Sequence, residues 1–154
     1  MWINILNHHP SKRIPCQKVR KFLQKLLRVS GLSREGLNVV FLSDRQIRVY
    51  NKKYLRHDRP TDVIAFSSLG KNPPRPPLTK GGVGRFEFPF GELLISLDTA
   101  KRQAEELGHP FFQEIKILLI HGILHLLGYK DKKKRDCVRM WKETEKLLGG
   151  VSLI

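Results

Sequence analysis

The sequence predicts one domain built on a small four-stranded sheet covered by five helices. Two observations carry this expectation. The chain has 154 residues, enough for one real hydrophobic core and too few for two, so a single domain over residues 1–154 is expected. Strand-like and helix-like segments alternate through the first part of the chain and helices dominate the rest, with no internal repeat.

The elements follow in order. "WINIL" at the start is apolar enough for a short first strand. After Pro15, residues Val19, Phe22, Leu23, Leu26 and Val29 recur at helical spacing until Gly31 ends them. The outer face of that helix carries Lys18, Arg20, Lys21, Lys25 and Arg28, a solvated face or a phosphate-contacting one. "LNVVFLS" is a buried strand, and Ser43 with Gln46 forms a capping box that opens a helix through Ile47, Tyr50 and Tyr54. "TDVIAFSS" is the third strand. Residues 69–89, rich in proline and glycine, are expected to form a long, mobile surface loop, and "FGELLIS" the fourth strand. Ala100, Ala104 and Leu107 mark a helix ended by Gly108, and Pro110 suits the first position of the next, which runs to about Leu127. A last helix over residues 132–148 sets Cys137, Met140, Trp141 and Leu148 on one side and stops at "GG".

Composition narrows the function. Lys and Arg number 29 against 14 Asp and Glu, a formal charge of +15, so the surface attracts polyanions and RNA or DNA is the leading partner class. Heat-adapted surfaces are also rich in lysine, but they balance it with glutamate and this one does not. The two cysteines, Cys16 and Cys137, lack disulfide, redox or metal spacing, which fits a reducing cytoplasm. The start lacks a secretory pattern, and no segment reaches the ~18 apolar residues that span a bilayer. A soluble, cytoplasmic protein is expected.

The informative stretch is "HGILHLLGYKD", residues 121–131. From Ile117 to Leu127 the only polar side chains are His121 and His125, so the helix is buried nearly all round and its imidazoles need partners. Positions i and i+4 share one face, and both rings can aim at a common point as in helical zinc sites. Gly128 permits the left-handed turn that brings Asp131 back toward the same point as third ligand. The pattern has the ligand spacing of metzincin proteases with aspartate in the last place, but Gly122 stands where they carry the general-base glutamate. Peptide hydrolysis by that mechanism is therefore disfavoured. The plainer alternative is a pair of core histidines bonded to backbone carbonyls, with Gly128 a helix cap and Asp131 the start of the next helix.

"HGILHLLGY" resembles the signature helix of the YbeY family of bacterial endoribonucleases, which process ribosomal RNA. The likeness extends to "SDRQIRVYNKKYLRHDRPTDVIAFSS" and "GELLISLDTAKRQAEELGH", covering residues 43–131 in order. It implies an α+β fold with a small mixed sheet, one bound divalent metal ion, usually zinc, and a single-strand-specific role in maturing small-subunit ribosomal RNA and in ribosome quality control. His121 and His125 match the first two family ligands. Asp131 stands in place of the third, normally histidine, and Lys130 in place of an aspartate. A carboxylate ligand makes the site harder and other divalent ions more competitive. Leu55 occupies a family arginine position, and Arg56 and Arg59 are the neighbours that can take over phosphate binding and transition-state stabilisation.

His57, Asp58 and Glu92 are candidate proton acceptors, and "KDKKKRD" at 130–136 is a candidate grip on the RNA backbone. Few aromatics look exposed, so base stacking has no support at this level. The expected partners are ribosomal RNA and the small subunit, with no membrane and no small-molecule cofactor. Two other readings compete: a zincin-like metalloprotease, and a non-catalytic ribosome-associated RNA-binding module.

Overall fold

The strand Gly36–Leu42 (β2) is buried along its whole length, which requires cover on both faces of its sheet. A computed structural model, which describes residues 1–67 and 90–153, shows how that cover is built. The remaining elements are β1 (Trp2–Asn7), α1 (Cys16–Val29), α2 (Asp44–Leu55), β3 (Val63–Ser67), β4 (Gly91–Ser96), α3 (Leu97–Leu107), α4 (Phe111–Leu126) and α5 (Lys134–Leu153). The loop expected at 69–89 lies outside the described residues. The sheet order is β1-β2-β4-β3, with β1, β2 and β4 parallel and β3 antiparallel to β4. The α+β fold with a mixed four-stranded sheet is thus observed.

Side-chain alternation sorts the layers. Leu37, Val39 and Phe41 of β2 and Leu93 and Ile95 of β4 face one side, where α1, α3, α4 and α5 pack on them. Val40, Leu42 and Leu94 face the other, joined by Ile64 and Phe66 of β3 and covered by Ile47, Tyr50 and Tyr54 of α2. Tyr54 meets Phe66 edge to face with centroids 5.5 Å apart. The capping box opening α2 is present: Gln46 N donates to Ser43 Oγ at 3.2 Å and Ser43 N to Gln46 Oε1 at 2.8 Å.

Helix α4 lies unusually close to the sheet. A Cβ on Gly122 would meet Leu93 Cδ2 at 2.7 Å, and one on Gly91 would meet Leu126 Cδ1 at 2.5 Å. Two glycines, one on each surface, let helix and strand approach.

At the C-terminal ends of the parallel strands a polar cluster ties three elements together. Asp98 accepts from His9 Nε2 at 2.9 Å, Lys12 Nζ at 2.6 Å and the Asp44 backbone N–H at 2.9 Å. His9 Nδ1 accepts from Lys12 N at 2.8 Å, which leaves Nε2 as the donor. Asp44 in turn accepts from Ser96 Oγ and Thr99 Oγ1, each at 2.6 Å, and pairs with Arg102 at 2.7 Å. Both carboxylates also sit in the first turns of helices, where negative charge is favoured.

Several expectations need correction. α5 does not stop at "GG" but runs on to Leu153. Its inward line is Met140, Thr144, Leu147 and Val151, which continues past the glycines, and neither glycine has the positive φ that ends a helix. Cys137 and Trp141 consequently lie exposed on its flank. Pro110 is the N-cap of α4, not its first residue. Arg20 turns inward and donates to the Ile3 carbonyl. No described helix is long and apolar enough to cross a membrane.

Two predictions follow from these contacts. Gly122→Ala is expected to destabilise by about 1–3 kcal/mol through overpacking against Leu93, measured as a lower urea midpoint with unchanged slope. Burial alone would raise the Asp98 carboxyl, but Lys12, the Asp44 amide and His9 hold it well below the usual carboxylate range. A depressed native value contributes stability that is present above the unfolded value of about 3.9 and lost as pH falls below it. Urea titrations below pH ~4 are therefore expected to show wild-type stability falling more steeply than that of Asp98→Asn.

Candidate metal centre

The histidine helix ends in a tight return. Gly128 adopts φ 98°, its N–H donates to His125 O at 3.0 Å, and Tyr129 N–H donates to Leu124 O at 3.0 Å, the two bonds of a Schellman cap. The expected left-handed glycine is thus present. The turn presents the Tyr129 carbonyl to His125 Nδ1 at 3.1 Å, so that nitrogen is the donor, and in the neutral imidazole Nε2 is the one with the lone pair. His125 Nε2 then faces Asp131 Oδ2 at 3.5 Å. Cys137 Sγ donates to the Asp131 carbonyl at 2.7 Å and helps hold the returning segment.

His121 lies one turn earlier on the same face, half-buried, its ring edge to face with Trp141 at 6.3 Å. Burial pushes its pKa down, aided by the charge of His125 and opposed by Asp62 and Asp131. The neutral imidazole is the form that binds a metal. Among the described residues, no three His, Cys, Asp or Glu side chains are drawn together into a closed metal-binding group. The structure pairs Asp131 with His125 and sets His121 against Trp141.

The donor pair His125 and Asp131 has the spacing of two ligands on one divalent ion. Tetrahedral bonds of about 2.1 Å give a ligand-to-ligand edge of about 3.4 Å, close to the 3.5 Å between His125 Nε2 and Asp131 Oδ2. The Tyr129 carbonyl is the kind of outer partner that orients a ligating histidine.

The arginines lie on the loop after α2. Arg56 is the C-cap of that helix in the left-handed region, φ 60°, and Arg59 follows. Buried Asn51 pins the loop, its Nδ2 donating to Arg59 O at 2.8 Å and its carbonyl accepting from His57 N at 3.1 Å. Both arginines are exposed, and among the described residues no ion pair or hydrogen bond engages either guanidinium.

The proton-acceptor candidates fare differently. Glu92 is 2% exposed and points to the α2 side of β4, away from the face that carries α4. Asp58 is engaged by Arg48 at 2.8 Å, which lowers its pKa, and is a poor base. His57 is exposed on the same loop.

Sequence reasoning missed Asp62. Its charge reaches His121, and its carboxylate is fixed by Val63 N–H at 2.7 Å and Gln103 Nε2 at 3.3 Å. The available signal was one acidic residue heading an apolar strand in "TDVIAFSS". Trp141 was missed too. With His121, Asp131, Cys137, Val138, Met140, Lys142 and Glu145 it lines a groove of about 610 Å³.

A mixed sheet backing a helix that carries two histidines on one face, the second facing a returning carboxylate, defines the class: an α+β domain with a candidate metal centre at a helix end. The chain belongs to the YbeY family, whose model, described as endoribonuclease YbeY, matches residues 4–152. It is similar to endoribonuclease YbeY of Aquifex aeolicus, 36% identical over 134 residues, covering 87% of this chain and 81% of that one. The protein of the same name from Bacillus cytotoxicus is 34% identical over 137 residues, covering 88% and 85%. Among solved structures, the Thermotoga maritima protein TM1509 superposes with a TM-score of 0.61 at 25% identity, over 97% of this chain and 88% of that one.

Gly128→Ala forces a side chain into the left-handed region. It is expected to cost about 1 kcal/mol or more in stability, read from the urea midpoint, and to loosen the Tyr129–His125 contact.

Proposed function

We propose that this protein is a divalent-metal-dependent endoribonuclease that cuts single-stranded RNA during maturation of the small ribosomal subunit. Endoribonuclease activity follows from the family to which the chain belongs. The single observation that carries the metal reading is the edge between His125 Nε2 and Asp131 Oδ2, with Nδ1 already committed to Tyr129. His121, His125 and Asp131 would hold the ion. Bound there, a divalent ion supplies an acidified water as nucleophile and a Lewis acid for a phosphoryl oxygen.

The chain's own residues do the rest. Arg56 and Arg59, whose guanidinium groups have no partner among the described residues, receive the phosphate and offset charge in the transition state. Asp62, held by β3 and α3, takes the place of Glu92 and Asp58 as the carboxylate to accept a proton. The exposed run Lys130, Lys132, Lys133, Lys134 and Arg135 holds the RNA backbone. The protease reading is disfavoured by Gly122, which stands where that mechanism needs a glutamate and which packs closely on Leu93.

Cleavage of a single-stranded oligoribonucleotide is the test. Activity abolished by EDTA and restored by zinc or manganese is expected, with Asp62→Asn lowering kcat about a hundredfold while metal content is kept. Arg56→Gly relieves the left-handed strain and is expected to raise the urea midpoint while lowering kcat/KM. Ribosome binding that survives EDTA, with no cleavage at any metal concentration, would favour the non-catalytic module instead.

A further inference from the structure

Beside the histidine helix, the groove under α5 is apolar where a nuclease surface is expected to be charged. Its wall is formed by Val138, Met140 and Trp141. Trp141 is 47% exposed, and it is the one aromatic among the large exposed apolar side chains of the described residues. An indole left open to water at this size calls for an occupant. The groove is continuous with the candidate centre, since His121 and Asp131 also line it. Its charged lining is mixed, Lys142 beside Glu145 and Asp131, and the cations lie at its entrance, where the exposed lysines 132–134 lead into the helix that carries Trp141. An apolar groove one ring away from the proposed phosphate-cutting centre, with lysines at its entrance, matches a nucleobase attached to a phosphodiester.

We infer that Trp141 is a stacking platform for an unpaired RNA base adjacent to the phosphate that is cut. The inference rests on the endoribonuclease reading and adds to it a substrate-binding subsite. A base in an A-form duplex is stacked and paired within the helix and cannot lie on the indole. A base in a single strand can be splayed onto it. Trp141 thereby contributes to preference for single-stranded substrate without reading sequence, because every base offers a π-face. The indole also packs edge to face on His121, so a stacked base holds the strand in register with the centre.

The test uses the full-length protein with two readouts. In the first, cleavage of a single-stranded oligoribonucleotide is compared among wild type, Trp141→Ala and Trp141→Phe, with metal content checked for each. The expected result is a KM rise of about tenfold for Trp141→Ala, a smaller change in kcat, and recovery of most of the loss by Trp141→Phe. In the second, the fluorescence of Trp141 is followed in a Trp2→Phe background, since the chain has two tryptophans. Oligoadenylate is expected to quench it and the matching duplex to leave it unchanged. A wild type that cleaves RNA while Trp141→Ala keeps an unchanged KM overturns the subsite and spares the endoribonuclease reading. A wild type that cleaves nothing overturns that reading, and the fluorescence then decides the subsite by itself. Quenching by the single strand alone sustains a base platform, and no quenching, or equal quenching by the duplex, removes it.

Discussion

The candidate site depends on how α4 is pressed against β4 and then stopped. Gly122 and Gly91 remove the two Cβ atoms that would hold helix and strand apart, each meeting a leucine of the other element at under 3 Å. A helix seated that deeply has one open line left along it, and His121 and His125 occupy it. The same close approach disfavours a side chain at the position after the first histidine. Gly128 then turns the chain within a single residue, and that turn supplies both the carbonyl that orients His125 and the carboxylate that faces it.

Polar groups elsewhere are arranged so that the frame around this helix stays fixed. The Asp44 and Asp98 cluster joins the segment after β1 to the starts of α2 and α3, and α3 carries Gln103, which holds Asp62. Asn51, buried on α2, fixes the backbone of the loop that bears Arg56 and Arg59. Each functional loop is therefore tied to a buried or ion-paired anchor on a neighbouring helix, which restricts where its exposed side chains can go.

Much of the architecture was legible because its signals are local. The Ser43 and Gln46 capping box, the glycine stop at Gly108 and the left-handed Gly128 each depend on residues within one turn, and all three are present. The four strands fall where their apolar runs place them, the mixed sheet agrees with the family resemblance, and the order β1-β2-β4-β3 comes from the structure alone. What escaped the sequence depends on tertiary contact. The heptad-like line of α5 admits two inward faces, and only packing on α1 and α4 selects Met140, Thr144, Leu147 and Val151 over Cys137 and Trp141. Glu92 reads as a strand-end acid, yet strand parity turns it to the far face. Asp62 comes within electrostatic reach of His121 because β3 returns antiparallel beside β4, a pairing between residues far apart in sequence. Asp131 was legible as a ligand candidate from spacing. Its approach to His125 is a property of the turn between them.

We propose that Asp131 completes a metal site with His121 and His125. Elemental mass spectrometry of the purified protein tests it most directly, with His121→Ala and Asp131→Ala prepared alongside and circular dichroism as the control for folding. Near one divalent ion per chain in the wild type, lost in both variants with the fold retained, is the predicted result. No ion in the wild type after zinc has been supplied, or a full complement retained by Asp131→Ala, would contradict it.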